Sequence, residues 1–574
     1  MCMKPRTSDQ IPEDTRQLGQ TLLKPDNVMR LIGERLSEFI HDEDFADLYS
    51  PEGRPAVWPG LLALVTVLQW AEALSDRQAA YAVVTRVDWK YALHLPLHYL
   101  GFDFSVLSEF RQRLLVHQAE SRVFEKLLEH LKALGLVRGR GVQRTDSLAV
   151  VSAVNRLTRL ELVYETIRVT LMALKRTESA WFAQMIPPRL VEEYGERGEQ
   201  ERWVKDSGDK GHAEVKRRAA TMGQDGQWLL DRLGASDTPR SLQTLPEVVT
   251  LRTIWAQQFH IEPLSDPSPA TGPTRLELRE HPASAGAETI CTPHDPEARY
   301  SEKRGRDWQG YKVHLTETAD DDAPHLITAV HTTLATTSDF DQVTPIQETL
   351  MRRAVTPAQH VLDMGYVSGE NIARSSGRHI ELIGPARPDG SRQAHLPGGI
   401  TLTQFELDYD QKVARCPAEQ ASVAWTACER KGHCEINIRF AAATCAACPR
   451  FTDCVMSKTA EPRGRTLHLR PYYEVLAQQR QKQTTSRFKQ VYKRRAGIEA
   501  TLSWAVRSHG LRRSHYIGLK KTHLQHSFIV AACNLKRAAW WLAGRRAEPR
   551  GRRPKSMALP AKPHVQEFAS PTSD

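Results

Sequence analysis

Apolar residues recur at helical spacing through the first quarter of the chain. Between Asn27 and Val137 the run Leu61, Leu62, Leu64, Val65 and Leu68 makes one stripe, and Ser75-Asp76-Arg77-Gln78 has the form of a capping box that opens the next helix. A further helix begins at Ser105, with Leu107, Phe110, Leu114 and Leu115 inward and Arg111 and Arg113 on the other side, a face that reads either as DNA-reading or as merely solvated. From Gly141 to Val151 the period shortens towards two, with Val142, Arg144, Asp146, Leu148 and Val150 on one side, which predicts a strand. Helical patterns return from Leu157 to Phe259, and Pro263 to Pro296, dense in Pro, Ser, Gly and Thr, reads as a linker. Strand patterns follow at Trp308–Thr316 and His325–Leu334, a helix near Gln342–Arg353, and strands at Gln359–Asp363 and Ile380–Ile383. That order predicts a mixed α/β core.

Arg387 to Thr466 turns Cys-rich and irregular, as an inserted module would; Gln479 to Gly544 is helical and basic; the Arg-, Pro- and Ser-rich tail reads as disordered. The divisions are a helical N-terminal domain (1–137), the first strand region of the α/β core (138–155), a helical insertion and linker (156–300), the core proper (301–386), the Cys-rich insertion (387–466), core helices (467–544) and the tail (545–574). A length of 574 residues fits roughly three or four such units.

The formal charge of +10 is mild, but its distribution is not. Between Glu474 and Glu548 the sole acidic side chain is Glu499, set among many arginines and lysines that include Arg495, Arg507, Arg512, Arg513 and Lys520. A phosphate backbone is the natural counterpart of such a field; a solvated basic face is the plainer alternative. Met1 to Gln20 holds no apolar core of signal-peptide length, and the apolar stretch Val57–Trp70, broken by Pro59, is too short to span a bilayer, so a cytoplasmic protein is expected. Nine cysteines in a chain this long, six of them between Cys416 and Cys454, fit a reducing compartment.

Asp146 and Asp363 each fall on or just after a predicted strand, where ligands gather in α/β folds, although either alone also suits a turn or cap. Glu499 closes Tyr492-x-x-Arg495-x-x-x-Glu499, which on one helix would put phenol, guanidinium and carboxylate on a single face. A lone carboxylate among phosphate-seeking cations makes sense if a divalent cation stands between it and the phosphate; a simple i,i+4 pair with Arg495 is the alternative. The ordered set Asp146, Asp363 and Glu499, the Tyr-x-x-Arg-x-x-x-Glu signature and the run from Gly510 to Leu519 resemble bacterial insertion-sequence transposases of the DDE type. The likeness extends from Arg54-Pro55-Ala56-Val57 and Phe110-Arg111 to Leu524-Gln525-His526 and Asn534-Leu535.

The resemblance implies an RNase H-like core interrupted by an insertion ahead of the Glu-bearing helix. It implies two Mg²⁺ or Mn²⁺ ions held by the three carboxylates, cleavage at terminal inverted repeats and strand transfer into target DNA, and a homodimer working on transposon-end and target DNA with no membrane partner. Tyr492 and Arg495 would hold the end backbone, and Arg507, Arg512, Arg513 and Lys520 would add phosphate contacts. Related enzymes often carry Lys seven residues beyond the Glu; here Val506 stands there, with Arg507 beside it. A nuclease that cuts without joining, and an inactive DNA-binding descendant, are the competing functions.

Cys445-x-x-Cys448-x5-Cys454, with Cys416 upstream, suits one tetrahedral Zn²⁺, with Cys428, Cys434 or His433 as substitutes; reduced thiols that only pack are the other reading. Trp308 and Tyr311 read either as base-stacking residues or as strand core.

Overall fold

A computed structural model describes residues 2–6, 10–154, 157–195, 209–263, 274–283, 287–430, 433–455 and 463–545, so the predicted tail beyond Arg545 lies outside it. The N-terminal segment is helical as its periodicity requires. Helix Pro59–Glu72 starts on a proline, whose missing N–H costs nothing at the first turn, and thirteen of its fourteen residues are buried. Helix Asp76–Thr85 is opened by Ser75, whose hydroxyl accepts the Gln78 N–H while the Gln78 side chain accepts the Ser75 N–H. Helix Ser105–Val116 corrects the idea of a free basic face: Arg111 is buried, and its guanidinium grips both oxygens of Asp76 at 2.6 and 3.1 Å.

The central sheet has six strands: β1 (Val142–Val151), β4 (Arg299–Lys303), β5 (Arg306–Thr318), β6 (Ile327–Leu334), β7 (Gln359–Val361) and β8 (Glu381–Ile383), with the short hairpin β2 (Phe259–Pro263) and β3 (Thr274–Leu278) apart from it. Across the core the order is β6-β5-β1-β7-β8. The β1–β5 and β5–β6 pairs are antiparallel, whereas β7 lies parallel to both β1 and β8. Sequence reading missed the hairpin partner β4 and the helix Gly369–Gly377 that joins β7 to β8. It also took Pro263–Pro296 for a bare linker; instead β3 pairs with β2, and Ile290 is buried in the core of the helical insertion. That insertion packs helices Arg159–Thr177, Asp209–Gly234 and Pro246–Gln258 around its own apolar cluster.

The C-terminal helix Leu519–Leu542 runs between β6 and the helix Pro59–Glu72, so sheet and N-terminal helices share one continuous core. It also closes the sheet edge: the Asn534 amide accepts the Ile327 N–H and donates to the Ile327 carbonyl, both at 2.8 Å, as a neighbouring strand would. Residues 387–466 are more regular than their composition suggests. They form the hairpin β9 (Glu406–Asp408) and β10 (Val413–Arg415) and the sheet of β11 (Ala424–Arg430), β12 (His433–Arg439) and β13 (Thr466–Leu469). Among the described residues no helix is long and apolar enough to cross a membrane.

Candidate active site

The parallel register of β1 and β7 pairs Arg144 with Val361. Two residues beyond that pair stand Asp146, inside β1, and Asp363, just past β7, and the two carboxylates are near enough for the charge of Asp363 to act on Asp146. Asp363 also caps the turn that follows, accepting the Gly365 N–H at 2.8 Å. Burial pushes the Asp146 carboxyl above its usual range and the charge of Asp363 adds to this, while the Ser147 N–H, Arg495 and Lys303 pull against it.

Glu499 reaches the same place from the far end of the chain. The segment 486–509 is not one helix: helix Ser486–Tyr492 passes into a 3-10 turn, Lys493–Ala496, before helix Gly497–His509 begins. The helix is interrupted there, yet Arg495 hydrogen-bonds with both Tyr492 and Glu499, so phenol, guanidinium and carboxylate stay within reach of one another. Arg495, in the tight turn, donates to Asp146 Oδ2 at 3.0 Å and to Glu499 Oε1 at 3.3 Å, so one guanidinium spans a carboxylate of the sheet and the carboxylate of the helix. Asp146 is mostly covered, whereas the Glu499 side chain is 64% exposed.

A fourth carboxylate, which sequence reading passed over, lies beside them. Asp339 is buried; it binds Lys312 at 2.9 Å and Lys303 at 3.3 Å, and accepts the Ser147 hydroxyl at 3.3 Å. Burial works against its charge, and Lys312 and Lys303 outweigh it, holding the carboxyl below the ordinary range. A Cβ placed on Gly365 would lie 3.0 Å from Asp363 Oδ1 and 3.3 Å from Asp339 Oδ2, so those two carboxylates flank that glycine. Tyr366 sits beneath, its phenol within 2.7 Å of His314 Nδ1. Asp339 opens the helical stretch after β6, where an Asp reads as an ordinary first-turn residue, and nothing in its spacing marks it.

All-oxygen donors, two of them repelling each other, match the chemistry of a hard divalent cation. As the side chains stand, no three described His, Cys, Asp or Glu residues form a ready-made metal site. Here Arg495 takes up the space between Asp146 and Glu499.

Of the phosphate candidates, Arg507, Arg512, Arg513 and Lys520 are exposed. Arg512 and Arg513 lie at the end of β1, because the Val151 N–H donates to the Arg512 carbonyl and the Ser514 N–H donates to the Val151 carbonyl. Tyr492 is half-buried and stacks on Phe488 with ring centroids 5.8 Å apart. Tyr311 is not available to a base: it is fully buried, and its hydroxyl donates to Asp295 at 2.6 Å. The Trp308 indole N–H donates to the Tyr311 carbonyl.

Cys416, Cys445, Cys448 and Cys454 line one cavity of about 40 Å³, walled also by Phe405, Phe440 and Phe451. Burial pushes the Cys454 thiol up, Arg465 draws it down, and the other three thiols raise it again. The Arg465 N–H donates to Cys445 Sγ at 3.4 Å. Cys428 and Cys434 stand apart, on β11 and β12, opposite Glu435 and Glu429. The side chain of His433 lies outside the described ones.

Two family models match the chain: a transposase DDE domain over residues 415–539, and a transposase domain (DUF772) over residues 18–113. Both matches are to transposase domains, and together they support an insertion-sequence transposase of the DDE type. The first match takes in the Cys-rich strands, Glu499 and most of the C-terminal helix; Asp146 and Asp363 fall outside both matches. The second covers the N-terminal helices up to Arg113. No curated protein matches the chain.

Proposed function

We propose that this transposase binds the terminal inverted repeats of its element through its helical N-terminal domain and its basic C-terminal surface, and cuts and rejoins DNA at Asp146, Asp363 and Glu499. The observation that carries the reading is that Arg495 joins Asp146 to Glu499, with Asp363 close enough for its charge to act on Asp146. The strand order β6-β5-β1-β7-β8, antiparallel then parallel, supports an RNase H-like core. Asp146, Asp363 and Glu499 would hold a pair of Mg²⁺ or Mn²⁺ ions, which when bound would supply an activated water at the scissile phosphate and charge stabilisation for the leaving 3′ oxygen. Asp146 brings its charge from β1, Asp363 from the turn that follows β7, and Glu499 from the helix Gly497–His509. Arg495 and Tyr492 orient the end backbone, with Arg507, Arg512, Arg513 and Lys520 neutralising phosphates beyond it. The protein acts as a homodimer on transposon-end and target DNA.

The test uses a duplex carrying the sequences that flank the coding region, incubated with Mg²⁺ or Mn²⁺. Wild type is expected to nick the end and to give a joined product with target plasmid. Asp146→Asn, Asp363→Asn and Glu499→Gln are expected to bind the duplex and leave it whole. Cleavage without joined product would make the protein a nuclease, and binding without cleavage by wild type would make it an inactive descendant.

The four thiols of Cys416, Cys445, Cys448 and Cys454 suit a structural Zn²⁺, since a module of this size has only a small core of its own. One zinc per chain is expected by elemental analysis of purified protein; none would leave the cysteines as packing groups.

A further inference from the structure

Beneath the turn that carries Tyr492 and Arg495 lies a buried ion network that no part of the proposed chemistry uses. Arg144, two residues before Asp146 on β1, stands directly across from Glu317 on β5. Its guanidinium donates to Glu317 Oε1 through Nε at 2.8 Å. The opposite oxygen of Glu317 accepts the Arg537 guanidinium at 2.8 Å and the Thr501 hydroxyl at 2.7 Å. Arg144 and Arg537 are nearly covered, and Glu317 has no exposed surface. Burial pushes the Glu317 carboxyl up, and Arg537 and Arg144 outweigh it, so the group stays charged.

Three ions in an apolar interior stabilise a fold poorly, because each gives up its hydration and the pairing regains only part of it. What such a network supplies is geometry, and its geometry points at the site. Arg144 Nη1 donates to the Arg494 carbonyl at 2.6 Å, inside the 3-10 turn next to Arg495. Thr501 sits two residues beyond Glu499 on the same helix, and its hydroxyl also accepts from Arg537 at 2.7 Å. The helix begins at Gly497, where a Cβ would fall 2.1 Å from Arg144 Nη1 and 2.4 Å from its Cζ. Helix and guanidinium are thus in contact at a spacing that an alanine would forbid.

We infer that Arg144, Glu317 and Arg537, with Gly497 as the spacer, are positioning residues that fix Arg495 and Glu499 against the strand of Asp146. The network joins the catalytic strand, its antiparallel partner and two C-terminal helices, so the Glu499 carboxylate is referenced to β1 through covered bonds although it is itself exposed. This inference rests on the proposed role of Glu499.

The test compares full-length wild type with Arg144→Lys, which keeps the charge opposite Glu317 but loses the forked reach to the Arg494 carbonyl, and with Gly497→Ala. Four quantities are read: the melting temperature, amide exchange of residues 497–509 without metal, affinity for the flanking-sequence duplex, and single-turnover cleavage with Mn²⁺. Both variants are expected to fold and bind DNA within about twofold of wild type. Exchange at the start of the Glu499 helix should rise, and cleavage should fall about 10- to 100-fold, as for a misplacement on the order of 1 Å. A folded variant with wild-type exchange and wild-type cleavage overturns the inference, as does a loss of cleavage no larger than the loss of DNA binding. If Gly497→Ala does not fold, Arg144→Lys decides; if neither folds, the network is a scaffold and the inference fails. Failure of the underlying reading shows separately, as a wild type that does not cleave or a Glu499→Gln variant that does.

Discussion

Single residues here carry different tasks from those their sequence neighbours advertise. Arg111 belongs to a helix whose sequence suggests a basic outer face, yet its guanidinium is spent inside the protein on Asp76, whose carboxylate also accepts the Gln69 amide at 2.7 Å. Its loss would leave the half-buried Asp76 carboxylate without its cation. Removing one partner of such a pair costs on the order of 1–3 kcal/mol, because the remaining charge is partly desolvated without compensation. Arg111→Ala is therefore expected to lower the melting temperature by several degrees and to leave the salt dependence of DNA binding unchanged. A stable variant with a flatter salt dependence would return Arg111 to the DNA face. Arg113, which lies over the Tyr49 ring at 4.8 Å, is likewise engaged locally.

At the level of elements, what was legible in the sequence followed from period and chain order. The alternation of Val142, Arg144, Asp146, Leu148 and Val150 marked β1, and the capping box at Ser75 marked its helix, because both signals are local. What depended on partners far along the chain was not legible: β4 is a strand only because β5 folds back on it, β3 only because β2 lies beside it, and Arg111 is inward only because Asp76 meets it. The candidate site divides in the same way. Asp146, Asp363 and Glu499 stood out by order and by the charge of their surroundings, whereas Asp339, Lys303 and Lys312 meet only through the sheet. The loop after the Glu499 helix belongs to this class too, since Arg512 and Arg513 reach the end of β1 through backbone bonds to Val151. Both side chains are exposed there. If each neutralises one phosphate, Arg512→Ala and Arg513→Ala should each reduce the slope of log affinity against log salt by about 0.9. Filter binding over a salt series measures it, and a slope identical to wild type would remove these arginines from the DNA contact.

Across the whole molecule, the sheet, the C-terminal helix and the N-terminal helices are joined through buried and half-buried histidines. His523 lies 3.0 Å from the Ser121 hydroxyl and 3.2 Å from that of Thr332, while His526 meets Thr332 at 2.7 Å and His331 meets Thr349 at 3.0 Å. Burial pushes His331 and His526 down to about 3 and His523 down to about 4, with neighbouring cations adding to the effect. His314, His360 and His509 are lowered to about 3 by the same cause. A histidine whose folded pKa lies below its unfolded value of about 6.5 binds its proton more readily once the chain opens. Its contribution is complete above that unfolded value and drains away as the pH falls towards the folded one. Each such group steepens the loss by up to about 1.4 kcal/mol per pH unit, and the window from pH 6.5 to 5 lies above the range in which ordinary carboxylates protonate. Melting temperature is therefore expected to be level between pH 8 and 7 and to fall steeply between 6.5 and 5. His526→Gln, which cannot gain a proton, should shallow that fall while lowering the plateau. A melting temperature that stays flat down to pH 5 would mean that water reaches these rings, and that the union of the three layers is looser than their packing indicates.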